Sequence, residues 1–228
     1  MSIEIRFRDR EPYYSDKPVT ARELLKELDF PDRKHIVACR VNRVQRPLSW
    51  ELVMDSFVEF IPSTSLEGIE VYTRTLSFLL TSSATKLFGM KLHLTQSMGF
   101  SYFYESPEGE ISEEDCRRLQ EEMRRLTKEG EPLVREIFPI DEARAIMTRQ
   151  RYYDKERLLR WVGADPVILY NCQGIYDFFG GALADNAAIV PTFELRPYRG
   201  GIFLSGPTYS DPEKVNPFME SSKLFSLI

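Results

Sequence analysis

The first sixty residues alternate apolar and charged side chains around one short helix, and this pattern constrains the fold most strongly. Ile3, Ile5 and Phe7 alternate with charged residues, which is the period-2 signature of a strand with one buried face. Thr20 lies three residues before Glu23, the spacing of a capping box that begins a helix. With a second strand before Thr20 and further strands predicted at residues 35–41 and 57–61, the element order indicates a ubiquitin-like β-grasp fold.

The pattern changes after a short Ser- and Pro-containing junction. We therefore divide the chain into a β-grasp domain at residues 1–62, a linker at 63–67 and a second domain at 68–228. The second domain is predicted to contain a long helix from Ile69 to Phe88 and a shorter one that begins at Ser112 and ends at Gly130. Later helices are predicted at 141–150 and 155–162, and strands at 90–95, 100–105, 167–171, 189–195 and 201–204. The fold class is α+β.

Composition limits the class of protein. The formal net charge is −5, which argues mildly against broad binding to nucleic-acid backbones. The three cysteines have no CxxC spacing, so reduced thiols are expected rather than a disulfide framework. No apolar run approaches the ~20 residues that span a bilayer. We expect a cytoplasmic protein with no membrane contact.

Motifs for catalysis are missing from the sequence. No GxxxxGK[ST] phosphate loop and no GxSxG elbow occur. Only His35 and His93 are available, too far apart in sequence for a zinc hydrolase motif. Cys172 follows a predicted strand but has no neighbouring histidine to activate its thiol. An aromatic run that includes Phe100, Tyr102 and Tyr104 either stacks on a base or, more commonly, belongs to the core. The chain is therefore expected to bind or regulate rather than to catalyse.

Several segments together resemble a known pair of domains. Residues 36–42 (IVACRVN), Pro47-Leu48 and residues 57–61 (FVEFI) resemble the TGS domain of threonyl-tRNA synthetases. Residues from about 69 to 205 resemble the editing domain of those enzymes, also called the second additional domain. The landmarks are residues 74–80 (RTLSFLL), Gly99-Phe100, residues 171–174 (NCQG) and residues 193–195 (FEL).

The resemblance also implies where a site would lie. In the synthetase family an HxxxH helix and a CxxxH strand form a site able to hold zinc. The corresponding residues here are Arg74 and Phe78 on the helix, and Cys172 and Tyr176 later in the chain. Arg74 cannot bind a cation, so we expect neither a metal nor any other cofactor in this chain. These four residues form a candidate pocket for a small anionic ligand or a nucleotide. Alternatively, Arg74 points outward or pairs with Glu70.

A second resemblance concerns the parent protein. Residues 72–78, residues 170–180 and residues 222–225 (SKLF) resemble the uridine kinase-like, or nucleoside kinase, family, in which the two domains precede a kinase domain. The apolar ending at residues 225–228 (FSLI) suggests truncation before that domain. ATP and magnesium are expected only for the kinase domain, which would be the chain's own C-terminal partner.

The expected function is therefore the non-catalytic, ligand-binding and regulatory half of a uridine kinase-like nucleoside kinase. The alternative is an aminoacyl-tRNA editing hydrolase, or a tRNA-binding module with a degenerate metal site. A third possibility is a structural pair of domains that mediates oligomerisation. RNA is the less supported partner because acidic residues interleave the arginines of the helix after Ser112.

Overall fold

A computed structural model of the protein describes residues 2–30, 32–98 and 101–217. The Gly99-Phe100 landmark, the motif at 222–225 and the apolar ending at 225–228 lie outside the described residues.

The N-terminal part folds around a mixed sheet in the strand order β2-β1-β7-β4-β5. Its first and last strands, β1 and β7, are parallel neighbours, and the other pairs are antiparallel. This arrangement, with one helix packed on the sheet, confirms the predicted β-grasp fold. The elements are β1 (Ile3–Arg6), β2 (Tyr13–Ser15), β3 (Val19–Thr20), α1 (Ala21–Glu27), β4 (Ile36–Val41), β5 (Val44–Arg46), β6 (Glu51–Leu52) and β7 (Ser56–Pro62).

The capping box at the start of α1 is present as predicted. The Thr20 hydroxyl accepts the backbone N–H of Glu23 at 3.2 Å, and the Glu23 carboxylate accepts the backbone N–H of Thr20 at 2.7 Å. These bonds satisfy N–H groups that the helix cannot pair internally. Leu24 and Leu25 then point into the same core as Ile5, so the cap fixes where the apolar face of the helix begins.

The long helix α2 (Leu66–Phe88) begins three residues before the predicted start at Ile69. The reason is a cap at Ser65, whose hydroxyl accepts the backbone N–H of Gly68 at 3.0 Å. The predicted linker at 63–67 therefore overlaps the first turn of α2, and the domain boundaries stay a prediction. The helix ends at Gly89, which has a φ of 65°, a conformation that glycine adopts readily.

The remaining elements surround α2. They form the sheets β10-β11-β12 and β13-β14-β9-β8 and the hairpin β15-β16. The elements are β8 (His93–Met98), β9 (Ser101–Glu105), α3 (Glu113–Glu129), β10 (Val134–Phe138), α4 (Ile140–Arg149), α5 (Tyr153–Leu159), β11 (Val167–Cys172), β12 (Ile175–Asp177), β13 (Glu194–Tyr198), β14 (Gly201–Ser205), β15 (Pro207–Thr208) and β16 (Asp211–Val215).

One predicted strand is wrong. Residues 189–195 were expected to be extended throughout, but a short 3₁₀ helix covers Ala187–Ile189 and β13 starts only at Glu194. The Asn186 side chain accepts the backbone N–H of Ala188, which favours a local turn over a strand. The strand β10 was not predicted, and its position matters because it forms the edge of the sheet beside α2.

The core is continuous across α2. Val37 and Ile61 of the N-terminal sheet belong to the same buried cluster as Phe78 and Leu79 of the helix and Leu204 of β14. Within the part of the chain that the structure describes, no helix is long and apolar enough to cross a membrane. Helix α2 is therefore the central element that positions side chains toward neighbouring cavities.

Candidate functional site

One stripe of α2 is polar, although most of that helix is buried. Glu70, Thr73, Arg74, Ser77 and Thr81 recur at helical spacing and line one cavity. Side chains three and four residues apart share a helix face, so this stripe forms a continuous wall. The wall faces away from Leu76, Leu79 and Leu80, which are buried in the core.

The cavity has a volume of about 620 Å³, which lies within the size range of ordinary small-ligand sites. Its other walls come from the segment before β8, from β8 and β9, from α5 and from the residues that end β12. Those residues are Leu92, His93, Leu94, Tyr102, Tyr104, Asp154, Lys155, Leu158, Asp177, Phe178 and Phe179. Charged and aromatic groups therefore converge from four separate parts of the chain.

A buried ion pair lines the cavity. The ammonium of Lys155 lies 2.5 Å from a carboxylate oxygen of Asp177, whose side chain is 7% exposed. The other Asp177 oxygen accepts the backbone N–H of Phe178 at 2.8 Å. Burial raises the pKa of Asp177, and Lys155 opposes that shift. Lys155 also lies 4.4 Å from the ring centroid of Tyr152, so several contacts fix the position of its charge.

Two tyrosines of β9 supply an aromatic wall. The Tyr104 hydroxyl donates to the Ser77 hydroxyl at 2.7 Å, and burial raises the pKa of Tyr104. Tyr102 is half-buried, and burial raises its pKa as well. The intervening Phe103 points away and packs 4.8 Å from Phe203, between ring centroids. The core alternative therefore holds for Phe103 and for Tyr104, which is buried but also lines the cavity with Tyr102. Stacking of a base on this run stays a prediction.

Arg74 lines this cavity and also a crevice on its other side. Its guanidinium donates to the side-chain oxygen of Gln45 and to the backbone carbonyl of Ala182, both at 3.3 Å. It lies 3.6 Å from Glu70, so the ion pair weighed as an alternative is present. A Cβ atom on Gly181 would lie 2.8 Å from the guanidinium carbon, which shows how closely the backbone approaches.

The other three predicted residues do not line the cavity with Arg74. Phe78 is fully buried and contacts the ring of Phe179 at a centroid distance of 5.5 Å. Cys172 is buried beside Ser82 and Lys86, further along α2. The Tyr176 hydroxyl accepts from Asn171 at 3.0 Å, and these two residues are cross-strand partners. Because side chains alternate along a strand, Tyr176 lies on the opposite face from Cys172. Ligand binding by this set stays a prediction.

The residues at the predicted metal positions do not fit zinc. Guanidinium and phenyl groups offer no lone pair to a cation. Burial raises the pKa of the Cys172 thiol to about 11, so the thiolate that zinc prefers is disfavoured. Among the described residues, no group of three or more His, Cys, Asp or Glu side chains is placed to hold a metal ion. The expectation that the chain carries no cofactor remains a prediction.

Lys155 and Asp177 were missed in the sequence analysis. They are 22 residues apart, and only the packing of α5 against the end of β12 brings them together. A faint signal was present, because Asp177 interrupts the apolar run from Ile175 to Phe179, and a carboxylate in such a run is rarely buried without a partner.

The sequence was compared with known proteins. It is 25% identical over 224 residues to the threonine–tRNA ligase of Thermotoga petrophila, a match that covers 96% of this chain and 33% of that protein. The ligase of Thermotoga maritima is 26% identical over the same length, with the same coverage. That of Lactobacillus acidophilus is 24% identical over 207 residues, or 90% of this chain and 32% of the relative. No family model matches the sequence.

These similarities correct the expected function. The relatives are threonine–tRNA ligases, so the interpretation of this chain as the regulatory half of a uridine kinase-like nucleoside kinase is wrong. The kinase parent, its nucleotide ligand and its ATP and magnesium have no support. The chain spans about one third of the length of these relatives. Its mixed α+β fold, a β-grasp domain followed by an editing-like domain, is similar to a region of threonine–tRNA ligases.

Proposed function

We propose that this protein is a tRNA-binding module whose cavity receives the 3′-terminal adenosine of a tRNA together with its attached amino acid. The observation that carries the proposal is the cavity along α2, where an aromatic wall faces a buried Lys155–Asp177 pair. The relatives support it because their name assigns them threonine and tRNA, and the matched region includes every wall of the cavity.

The cavity offers a separate partner for each part of such a ligand. Tyr102 presents a half-buried ring on which an unpaired base stacks. The Asp177 carboxylate attracts the α-ammonium group of an aminoacyl ester, and the Lys155 ammonium donates to the ester carbonyl. Glu70 and Asp154 add negative charge along the walls, which favours the cationic amino group over a free carboxylate.

The variant Tyr102→Ala tests this proposal. Loss of one stacked base lowers affinity by about 1–3 kcal/mol, so binding of a tRNA with an intact 3′ end should weaken about tenfold. Fluorescence anisotropy with labelled tRNA measures this change. A tRNA trimmed of its single-stranded 3′ end should bind wild type and variant equally.

The matched control is Tyr14→Ala, which removes a 62% exposed tyrosine of the N-terminal sheet and should leave tRNA affinity unchanged. Equal affinity of wild type and Tyr102→Ala for the intact tRNA would exclude the cavity as the site of the 3′ end.

Hydrolysis of the aminoacyl ester is a second candidate function, favoured by His93 in the cavity wall. An imidazole is the commonest general base, and the Lys155 ammonium would stabilise negative charge that develops on the ester carbonyl. The test is release of amino acid from a mischarged tRNA. If the protein is a hydrolase, His93→Ala should slow that release by about 100-fold or more, whereas His35→Ala should not. If amino acid is released no faster with wild-type protein than in buffer alone, this candidate function is excluded.

A further inference from the structure

A second concave surface, the crevice, lies on the other side of Arg74 from the cavity. It has a volume of about 560 Å³ and separates β5 of the N-terminal sheet from β11 and from the glycine pair at residues 180–181. Its lining includes three arginines, which are Arg46, Arg74 and Arg135. Each of them comes from a different element, so the fold itself gathers the positive charge.

Two of these arginines stack with one tryptophan. The guanidinium carbon of Arg46 lies 4.0 Å from the ring centroid of Trp50, and that of Arg135 lies 5.6 Å from the same centroid. Such contacts hold a guanidinium in place without using its N–H donors. The planar donor groups of both side chains therefore stay available for an acceptor.

Neither Arg46 nor Arg135 forms an ion pair with any residue in the described part of the chain. The two carboxylates that line the crevice have their own partners, since Glu67 binds Arg40 and Gln45 and Glu70 lies 3.6 Å from Arg74. Asp185, which lines a neighbouring pocket with Arg135, binds Arg22. Burial lowers the pKa of Arg135, and the neighbouring charge of Arg46 lowers it further. Two half-buried like charges without a carboxylate are unfavourable unless an anion compensates them.

The arginines of α3 show the contrast. Arg117 lies 2.5 Å from both Glu114 and Glu121, and Arg125 binds Glu122 at 2.8 Å and also Glu129. Those guanidinium groups are neutralised on an exposed helix face. The unpaired charges of Arg46 and Arg135 thus lie in the crevice, where a ligand has room to bind.

We propose that Arg46 and Arg135 bind backbone phosphates of the RNA strand that leads to the cavity. This inference rests on the proposed function and adds the path of the nucleic acid. Arginine matches the geometry of phosphate oxygens with paired N–H donors. Because Glu70, Arg74 and Phe179 line both concave surfaces, a strand bound in the crevice would lie next to the cavity.

The double variant Arg46→Gln/Arg135→Gln tests the inference against an RNA hairpin that lacks a single-stranded 3′ end. Each lost contact to a charged group should weaken binding about tenfold. The slope of log affinity against log salt concentration should become shallower by about 2, because two fewer counterions are released. Arg46→Lys/Arg135→Lys keeps both charges and should retain most of the salt slope, which separates charge from folding.

The matched control is Arg117→Gln/Arg125→Gln, which changes the net charge equally but removes only paired arginines; less than a twofold effect is expected. If wild-type protein does not bind the hairpin, or if the Gln variant binds it with unchanged affinity and slope, the inference is wrong. A different result would exclude the proposed function. In that case Tyr102→Ala would not change the affinity for a tRNA with an intact 3′ end, while Arg46→Gln/Arg135→Gln would still lower the affinity for the hairpin.

Discussion

Lys155→Met should destabilise the folded protein by about 3–5 kcal/mol, because it leaves the buried carboxylate of Asp177 without its cationic partner. Only 7% of the Asp177 side chain is exposed, so water in the cavity compensates for only a small part of the lost ammonium. Urea unfolding at pH 7, followed by circular dichroism, measures the difference. The double variant Lys155→Met/Asp177→Leu should recover much of the loss, since it removes the unpaired charge as well.

The loss of stability caused by Lys155→Met should depend on pH in a defined direction. Burial raises the pKa of Asp177, and loss of Lys155 raises it further, so the folded state holds the proton more tightly than the unfolded state. At pH values above the folded-state pKa of Asp177, Lys155→Met destabilises the protein by the full amount. The destabilisation diminishes as pH falls toward the unfolded value of about 3.9.

Lys34→Met is a matched control, because Lys34 pairs with Glu213 on the exposed surface. It should leave the unfolding midpoint unchanged. A Lys155→Met protein as stable as wild type at pH 7 would show that the Lys155–Asp177 pair does not hold α5 against β12.

Gly68→Ala should destabilise the protein by about 3 kcal/mol, the upper part of the usual range for overpacking. A Cβ atom at this position would lie 1.9 Å from the carbonyl oxygen of Pro62, and the clash is with backbone that cannot rotate away. The first turn of α2 or the end of β7 must therefore move. Thermal unfolding of the variant checks the loss.

Gly163→Ala is the corresponding control, because no heavy atom lies within 4 Å of the position that its Cβ would occupy. It should be neutral or slightly stabilising, since alanine reduces the entropy of the unfolded chain. An equal effect of both substitutions would mean that contact with Pro62 does not determine the result at Gly68.

Local signals predicted much of the fold. The capping box at Thr20 and the Ser112 cap of α3 both place a helix start within one residue of the observed one. Cys116, Leu119, Met123 and Leu126 of α3 recur every three or four residues, the spacing of one helix face, and all four are buried. Such features depend on neighbours in sequence, which is why they can be recognised without any tertiary information.

Features that depend on distant partners were not predictable in this way. Strand β10 carries Arg135 and Glu136 between apolar residues, and its pairing with β11 decides its structure. The strand expected at 189–195 was wrong because the local turn at Asn186 prevails. In the site, the resemblance named Arg74, which lines the cavity but whose part in binding a ligand stays a prediction. It gave no indication of Lys155, whose role depends on a contact across 22 residues.

Arg74 lines both the cavity and the crevice, so the two proposed ligands would be coupled through it. A phosphate bound in the crevice would draw the guanidinium away from Glu70, which lies 3.6 Å from it, and the released carboxylate would then attract an ammonium group at the entrance of the cavity. Thermodynamic reciprocity requires the converse, so an aminoacylated end in the cavity must strengthen backbone binding by the same factor. Aminoacylated and uncharged tRNA would then differ in affinity at the backbone contacts as well as in the cavity, because Arg74 takes part in both.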